Sequence, residues 1–190
     1  MITQIRGRLV EKNPTYVVVD CAGVGYMLHI SLQTFSALSD DENVRLFAHL
    51  SVREDAHTLY GFISKTEREV FKLLISVSGV GPSIARTMLS SMSSEEVQNA
   101  IASENVTLIQ SVKGIGLKTA QRVIVDLKDK ILKTFDIDEL SLNTNNTNKE
   151  EALSALEVLG FNRKQSEKAI AVILKDSPNE TVELLIKKAL

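Results

Sequence analysis

The chain has 190 residues, 44% of them hydrophobic, and a formal net charge of −2; that apolar content supports a real core, and the length points to two or three small domains. Its longest apolar runs, such as Tyr16 to Val19 and Leu73 to Ile75, fall far short of the roughly 20 residues of a membrane span. The opening, in which Ile2, Ile5 and Leu9 are separated by Thr3, Arg6 and Arg8, lacks the apolar stretch of a signal peptide, so a cytoplasmic protein is expected. A single cysteine, Cys21, excludes a disulfide framework, a four-cysteine zinc site and a cysteine-held iron–sulfur cluster within one chain; it reads as a small core filler.

Residues 1–64 predict strands, because apolar residues alternate or cluster in short runs bounded by turn residues. Five are expected, near 2–12, 15–21, 24–31, 44–53 and 57–63, with turns at Asn13-Pro14 and Gly23 and a short helix near Gln33 to Leu38. This order is that of a small OB-type β-barrel, whose closure removes exposed strand edges. At Ser64 the period becomes helical, with Val70, Phe71, Leu74 and Ile75 on one face, and helices continue over 65–135. The stretch 136–149, rich in Asn and short of apolar anchors, cannot repay the entropy of ordering and predicts a flexible linker. The last segment, 150–190, predicts three short helices. One of them ends at Leu159 with Gly160 as its stop. The expected class is therefore α+β in three domains: barrel, all-α middle, linker and a C-terminal three-helix bundle.

The helical middle repeats itself at an offset of 35 residues. Val77-Ser78-Gly79-Val80-Gly81-Pro82-Ser83-Ile84-Ala85 lies over Val112-Lys113-Gly114-Ile115-Gly116-Leu117-Lys118-Thr119-Ala120, each copy flanked by apolar helices. One Gly-apolar-Gly turn is as often an ordinary helix-helix connection as anything more. Two in register read as a tandem helix-hairpin-helix that grips the sugar-phosphate chain on both sides of a minor groove. Glycines at both ends are expected to permit positive φ and to let a phosphate approach without a Cβ in the way. The middle residue, Val80 or Ile115, would pin the turn to the core, and the following helix start would present free amides and a positive dipole end. Ser83, Lys118 and Thr119 would add hydroxyls and a cation. Such contacts read backbone shape rather than bases. A nucleotide loop is excluded at Gly114 to Thr119, because Leu117 stands before Lys118 and a helix leads in.

Charge fits a geometric reader better than a basic coat. Residues 1–64 hold five Lys/Arg against seven Asp/Glu, and residues 77–133 hold seven against five, so affinity must come from placement.

With these residues the chain resembles the RuvA family, the Holliday-junction-binding subunits of bacterial RuvAB branch-migration complexes. The likeness runs through Ile2 to Gly7, Val52 to Phe62, both glycine turns and Leu159-Gly160-Phe161, in the family's order. It implies a non-catalytic protein without cofactor or metal: a homotetramer, or an octamer on DNA, that holds a four-way junction open and square. It implies a hexameric RuvB motor and a RuvC-type resolvase as partners, and a UBA-like fold for the last domain. DNA contacts carry over to Gly79, Gly81, Ser83, Gly114, Gly116, Lys118, Thr119 and Arg122. Glu54 and Asp55, which from sequence alone are a solvated turn, become an acidic pin at the junction centre that repels phosphates, with Arg53 steadying phosphate beside it. Leu156, Leu159, Phe161 and Leu190, otherwise plain core residues, become an apolar groove for the motor. The chain departs from the family pattern at Ser83 and Leu117, where lysines are expected, and at Lys113, where proline is expected. The charge-assisted share of binding is then smaller.

Two other functions share these features. In a helix-hairpin-helix glycosylase/lyase Lys118 would attack a sugar carbon with Asp136 assisting, but that enzyme needs a deep base pocket beside a single hairpin. A nuclease-recruiting adaptor shares the clamps and leaves Glu54 and Asp55 unexplained.

Overall fold

In the strands, alternating side chains point inward to a shared core. The computed structural model describes residues 1–39, 43–135, 151–157, 159, 161–176 and 181–189. In it β1 (Gln4–Asn13), β2 (Tyr16–Cys21), β3 (Val24–His29), β4 (Asn43–Val52) and β5 (His57–Phe62) close into a barrel in the order β1-β2-β3-β5-β4. Closure comes from two non-sequential pairings, β1 with β4 antiparallel and β3 with β5 parallel, where Leu28 faces Leu59. Val17, Val19, Leu28, Ile30 and Leu46 fill the interior. Cys21 packs against them and its thiol donates to the Arg6 carbonyl, the filler role expected of it. After β3 the chain stays extended to Ser31, which caps α1 (Leu32–Ala37), its hydroxyl accepting the Thr34 N–H, so that one of the helix's free donors is satisfied.

α2 (Lys65–Ile75) begins at Ser64, whose hydroxyl accepts the Glu67 N–H. Its buried face lays Phe71 against the barrel, 4.9 Å from the Phe62 ring, 5.0 Å from Tyr60 and 5.5 Å from His49. Aromatic pairs in this range add to the stabilisation from buried area. Ser64-x-x-Glu67 has the spacing of a capping box, yet the Glu67 carboxylate is used between elements. It accepts from Ser31 Oγ at 2.5 Å, Thr34 Oγ1 at 2.7 Å and the Ile63 N–H at 3.2 Å. Burial raises the Glu67 pKa and these bonds pull it back. Contacts of this kind make Met1–Ile131 one compact unit, so the boundary expected at residue 64 lies inside it.

α3 (Pro82–Ser91), α4 (Ser94–Ala102), α5 (Val106–Gln110) and α6 (Leu117–Phe135) follow. In the second unit, Leu132–Leu190, a helix over 151–157 (α7), α8 (Arg163–Asp176) and α9 (Val182–Ala189) enclose Ala152, Leu153, Leu156, Ile170 and Leu185. The expected linker over 136–149 lies outside the described residues, as do Asp136, Gly160 and Leu190. Among the described residues no helix is long and apolar enough to cross a membrane.

Candidate nucleic-acid interface

The repeat seen in the sequence is a repeat of backbone hydrogen bonds. In the first hairpin, between α2 and α3, the Val80 N–H donates to Val77 O at 3.0 Å and the Ala85 N–H to Gly81 O at 3.0 Å. In the second, between α5 and α6, the Ile115 N–H donates to Val112 O at 3.1 Å and the Ala120 N–H to Gly116 O at 2.9 Å. Even the hydroxyls that close the leading helices correspond, Ser76 Oγ to Leu73 O at 2.6 Å and Ser111 Oγ to Leu108 O at 2.7 Å. Val80 and Ile115 are 4% and 5% exposed, which is how each turn is pinned to the core.

The glycines of each pair have different jobs, and of the two ends expected to permit positive φ only the first uses it. Gly79 and Gly114 stand at φ +94° and +95°, a conformation that costs an L-residue about 1–2 kcal/mol. Gly81 has φ −84° and caps α3 without any side-chain hydrogen bond. A Cβ on Gly81 or Gly116 would meet nothing within 4 Å. The second glycine therefore keeps open the space before the helix start, where the first-turn amides lack intrahelical partners and the dipole favours an anion.

The two turns also lie close to each other. A Cβ on Gly79 would lie 3.9 Å from the Thr119 side chain, and one on Gly114 3.9 Å from Ile84, positions that correspond in the two copies. Ser83, Lys113, Lys118 and Arg122 are exposed and Thr119 is half-buried. Arg122, aligned by sequence with its own hairpin, instead donates from Nη1 to the Ser78 carbonyl of the first one at 3.3 Å. Its mate at the 35-residue offset is Thr87, a mismatch that was the available signal.

At the β4–β5 turn the Arg53 N–H donates to Ala56 O at 2.9 Å, and Arg53, Glu54, Asp55 and Ala56 are all exposed. The pair of carboxylates thus stands at the tip of the hairpin, where alternation placed it. At the barrel's seam with α2 and α3 the pKa values of two histidines are lowered, His29 by burial and then Arg86, His49 by burial and then Lys72 and Arg68.

The residues expected to form an apolar groove in the second unit differ in exposure. Leu156 is 1% exposed and packs in the bundle core one helical turn after Ala152. Leu159 and Phe161 are 60% and 46% exposed. For the lyase alternative, Lys118 is exposed on the first turn of α6 and Asp136 is not among the described residues.

Comparison with known proteins agrees with this geometry. A protein from Christiangramia forsetii is 62% identical over 190 residues, covering 100% of this chain and 98% of its own length, and one from Flavobacterium psychrophilum is 58% identical with the same coverage. Both are named Holliday junction branch migration complex subunit RuvA. The chain belongs to the RuvA family. A Bacteroides thetaiotaomicron RuvA is 49% identical over 199 residues. Family models for the RuvA N terminal domain, the SAM-like helix-hairpin-helix tandem and the RuvA C-terminal domain match residues 1–61, 71–129 and 147–190. The barrel, the paired hairpins and the terminal helices are thus the RuvA parts in RuvA order.

Proposed function

We propose that this chain is the Holliday-junction-binding subunit of a branch-migration complex and does no covalent chemistry itself. The observation that carries this is the pair of hairpins with matching backbone bonds, each with open space before a helix start. Two such clamps held at fixed spacing suit the two strands of a duplex arm. In this reading four copies meet through the barrels over 1–64, and Glu54 and Asp55 of each face the crossover. There they repel phosphates and keep the arms apart in a square, and Arg53 steadies phosphate nearby. Residues 65–135 bind the arms through Gly79, Gly81, Ser83, Gly114, Gly116, Lys118, Thr119 and Arg122. The segment 136–149 tethers 150–190 at high effective concentration, and that module docks a hexameric RuvB-type ATPase, with Leu159 and Phe161 offered to it. A RuvC-type resolvase acts on the same junction. The setting is the bacterial cytoplasm.

The test is a gel shift of the full chain on a synthetic four-way junction against linear duplex of the same arm sequence. Strong preference for the junction, with affinity falling steeply with salt as phosphate contacts release counterions, is the expected result. Equal affinity for both would contradict the proposal. A chain truncated after Asn148 is expected to bind junctions as the full chain does and to fail to stimulate the motor's ATPase.

A further inference from the structure

The two hairpins share a backbone but not a charge. From Ser76 to Ser83 the first carries no ionisable side chain, whereas the equivalent stretch from Ser111 to Lys118 carries Lys113 and Lys118. A neutral turn binds a phosphate through amides alone, and charge-assisted contacts are roughly twice as strong.

A cation from the other repeat reaches the first turn. Arg122 lies one helical turn past Lys118 on α6, and its guanidinium donates to the Ser78 carbonyl at 3.3 Å while the side chain stays exposed. A guanidinium has five N–H donors, so this bond leaves most of them for a ligand. Thr119, one turn earlier, sits 3.9 Å from where a Cβ on Gly79 would be. Nothing comparable is returned. The residue equivalent to Arg122 is Thr87, whose hydroxyl is used inside α3 on the Ser83 carbonyl at 3.0 Å, and the equivalent of Thr119 is the apolar Ile84.

We propose that Arg122 serves the first hairpin, completing there a composite phosphate site made of the Gly79, Gly81 and Ser83 N–H groups and a guanidinium lent by α6. The second hairpin is self-sufficient through Lys113 and Lys118. The inference rests on the DNA-backbone reading above and assigns its charges to particular phosphates. It also accounts for a neutral Ser83: the position that would carry the cation is already served from across the pair.

The experiment uses the full chain at low salt, where single variants still bind, on four-way junctions carrying one neutral methylphosphonate linkage at a time. Arg122→Ala is expected to weaken junction binding about tenfold and to lower the salt dependence by about one counterion. Arg122→Ala and Gly81→Val should become insensitive to neutralising the same phosphate, and Lys118→Ala and Gly116→Val to neutralising a different one. Combined with Gly81→Val, Arg122→Ala should cost little more; combined with Gly116→Val, the two losses should multiply. Adding Ser83→Lys to Arg122→Ala should restore binding and the lost phosphate sensitivity. The assignment is overturned if the losses multiply with Gly81→Val, or if Arg122→Ala erases the phosphate read by Lys118. Normal binding by both Gly81→Val and Gly116→Val would overturn the clamp reading itself, and with it this one, a pattern distinct from either.

Discussion

The turn between β4 and β5 and the two turns between helices are all short and exposed, yet they offer opposite signs to a phosphate. At the first, Glu54 and Asp55 project carboxylates from a strand end. At the others, open glycine positions lead into helix starts with unpaired amides, and the second turn adds Lys113 and Lys118. A net charge of −2 describes neither. Screening confines each field to about 8 Å at physiological salt, so what a DNA arm meets is decided by the tip it touches. A polyanion can thus be drawn to the helical turns and pushed away at the strand turn of one molecule.

The comparison breaks most completely if the attractive turns are closed. Gly81→Val with Gly116→Val places side chains where nothing lies within 4 Å and neither residue needs positive φ, so melting should be unchanged. Junction affinity should fall by at least about a hundredfold, roughly 2.7 kcal/mol, in a gel-shift titration. Reversing the repulsive turn gives the next largest effect: Glu54→Lys with Asp55→Lys should bind duplex about tenfold more tightly and lose its preference for the junction in competition assays. An unchanged preference would remove the carboxylates from the mechanism.

A smaller effect separates the two glycines of one turn. Gly79→Ala forces a Cβ into φ +94° and should lose about 1–2 kcal/mol of stability in urea unfolding, whereas Gly81→Ala should be near neutral. The smallest concerns the seam behind the turns. His29 and His49 have pKa values below the usual histidine range because of burial and neighbouring cations. The folded state thus favours their neutral forms, and stability is full above about pH 6.5 and falls as pH drops through that value toward the lowered pKa values. Glu67 works the other way, its raised pKa penalising the folded state above it and relieving that penalty on acidification. Thermal melts from pH 7.5 to 5 should show a modest loss of stability that Glu67→Gln makes steeper.

The strands, the paired turns and the acidic tip were legible because each is a local pattern: period-two alternation, an offset repeat, two carboxylates between strands. Contacts that cross elements were not. Ser64-x-x-Glu67 reads as a helix cap whether its carboxylate turns back on its own helix or reaches Ser31 and Thr34. Leu156 has the same apolar character whether it fills a core or lines a groove, and only burial separates the two. Gly-x-Gly does not say which glycine stands at positive φ. Linear alignment places Arg122 with its own hairpin, while the packing of α6 beside the first turn gives it to the other.

The central claim is that phosphates meet bare amides at the paired turns, and glycine-selective 15N labelling tests it directly, since the chain has nine glycines and four of them form those turns. On titration of the full chain with a four-way junction, the amide signals of Gly79, Gly81, Gly114 and Gly116 should shift while those of Gly23 and Gly25 in the barrel stay put. Shifts confined to the barrel glycines, with the four turn signals unmoved, would contradict it.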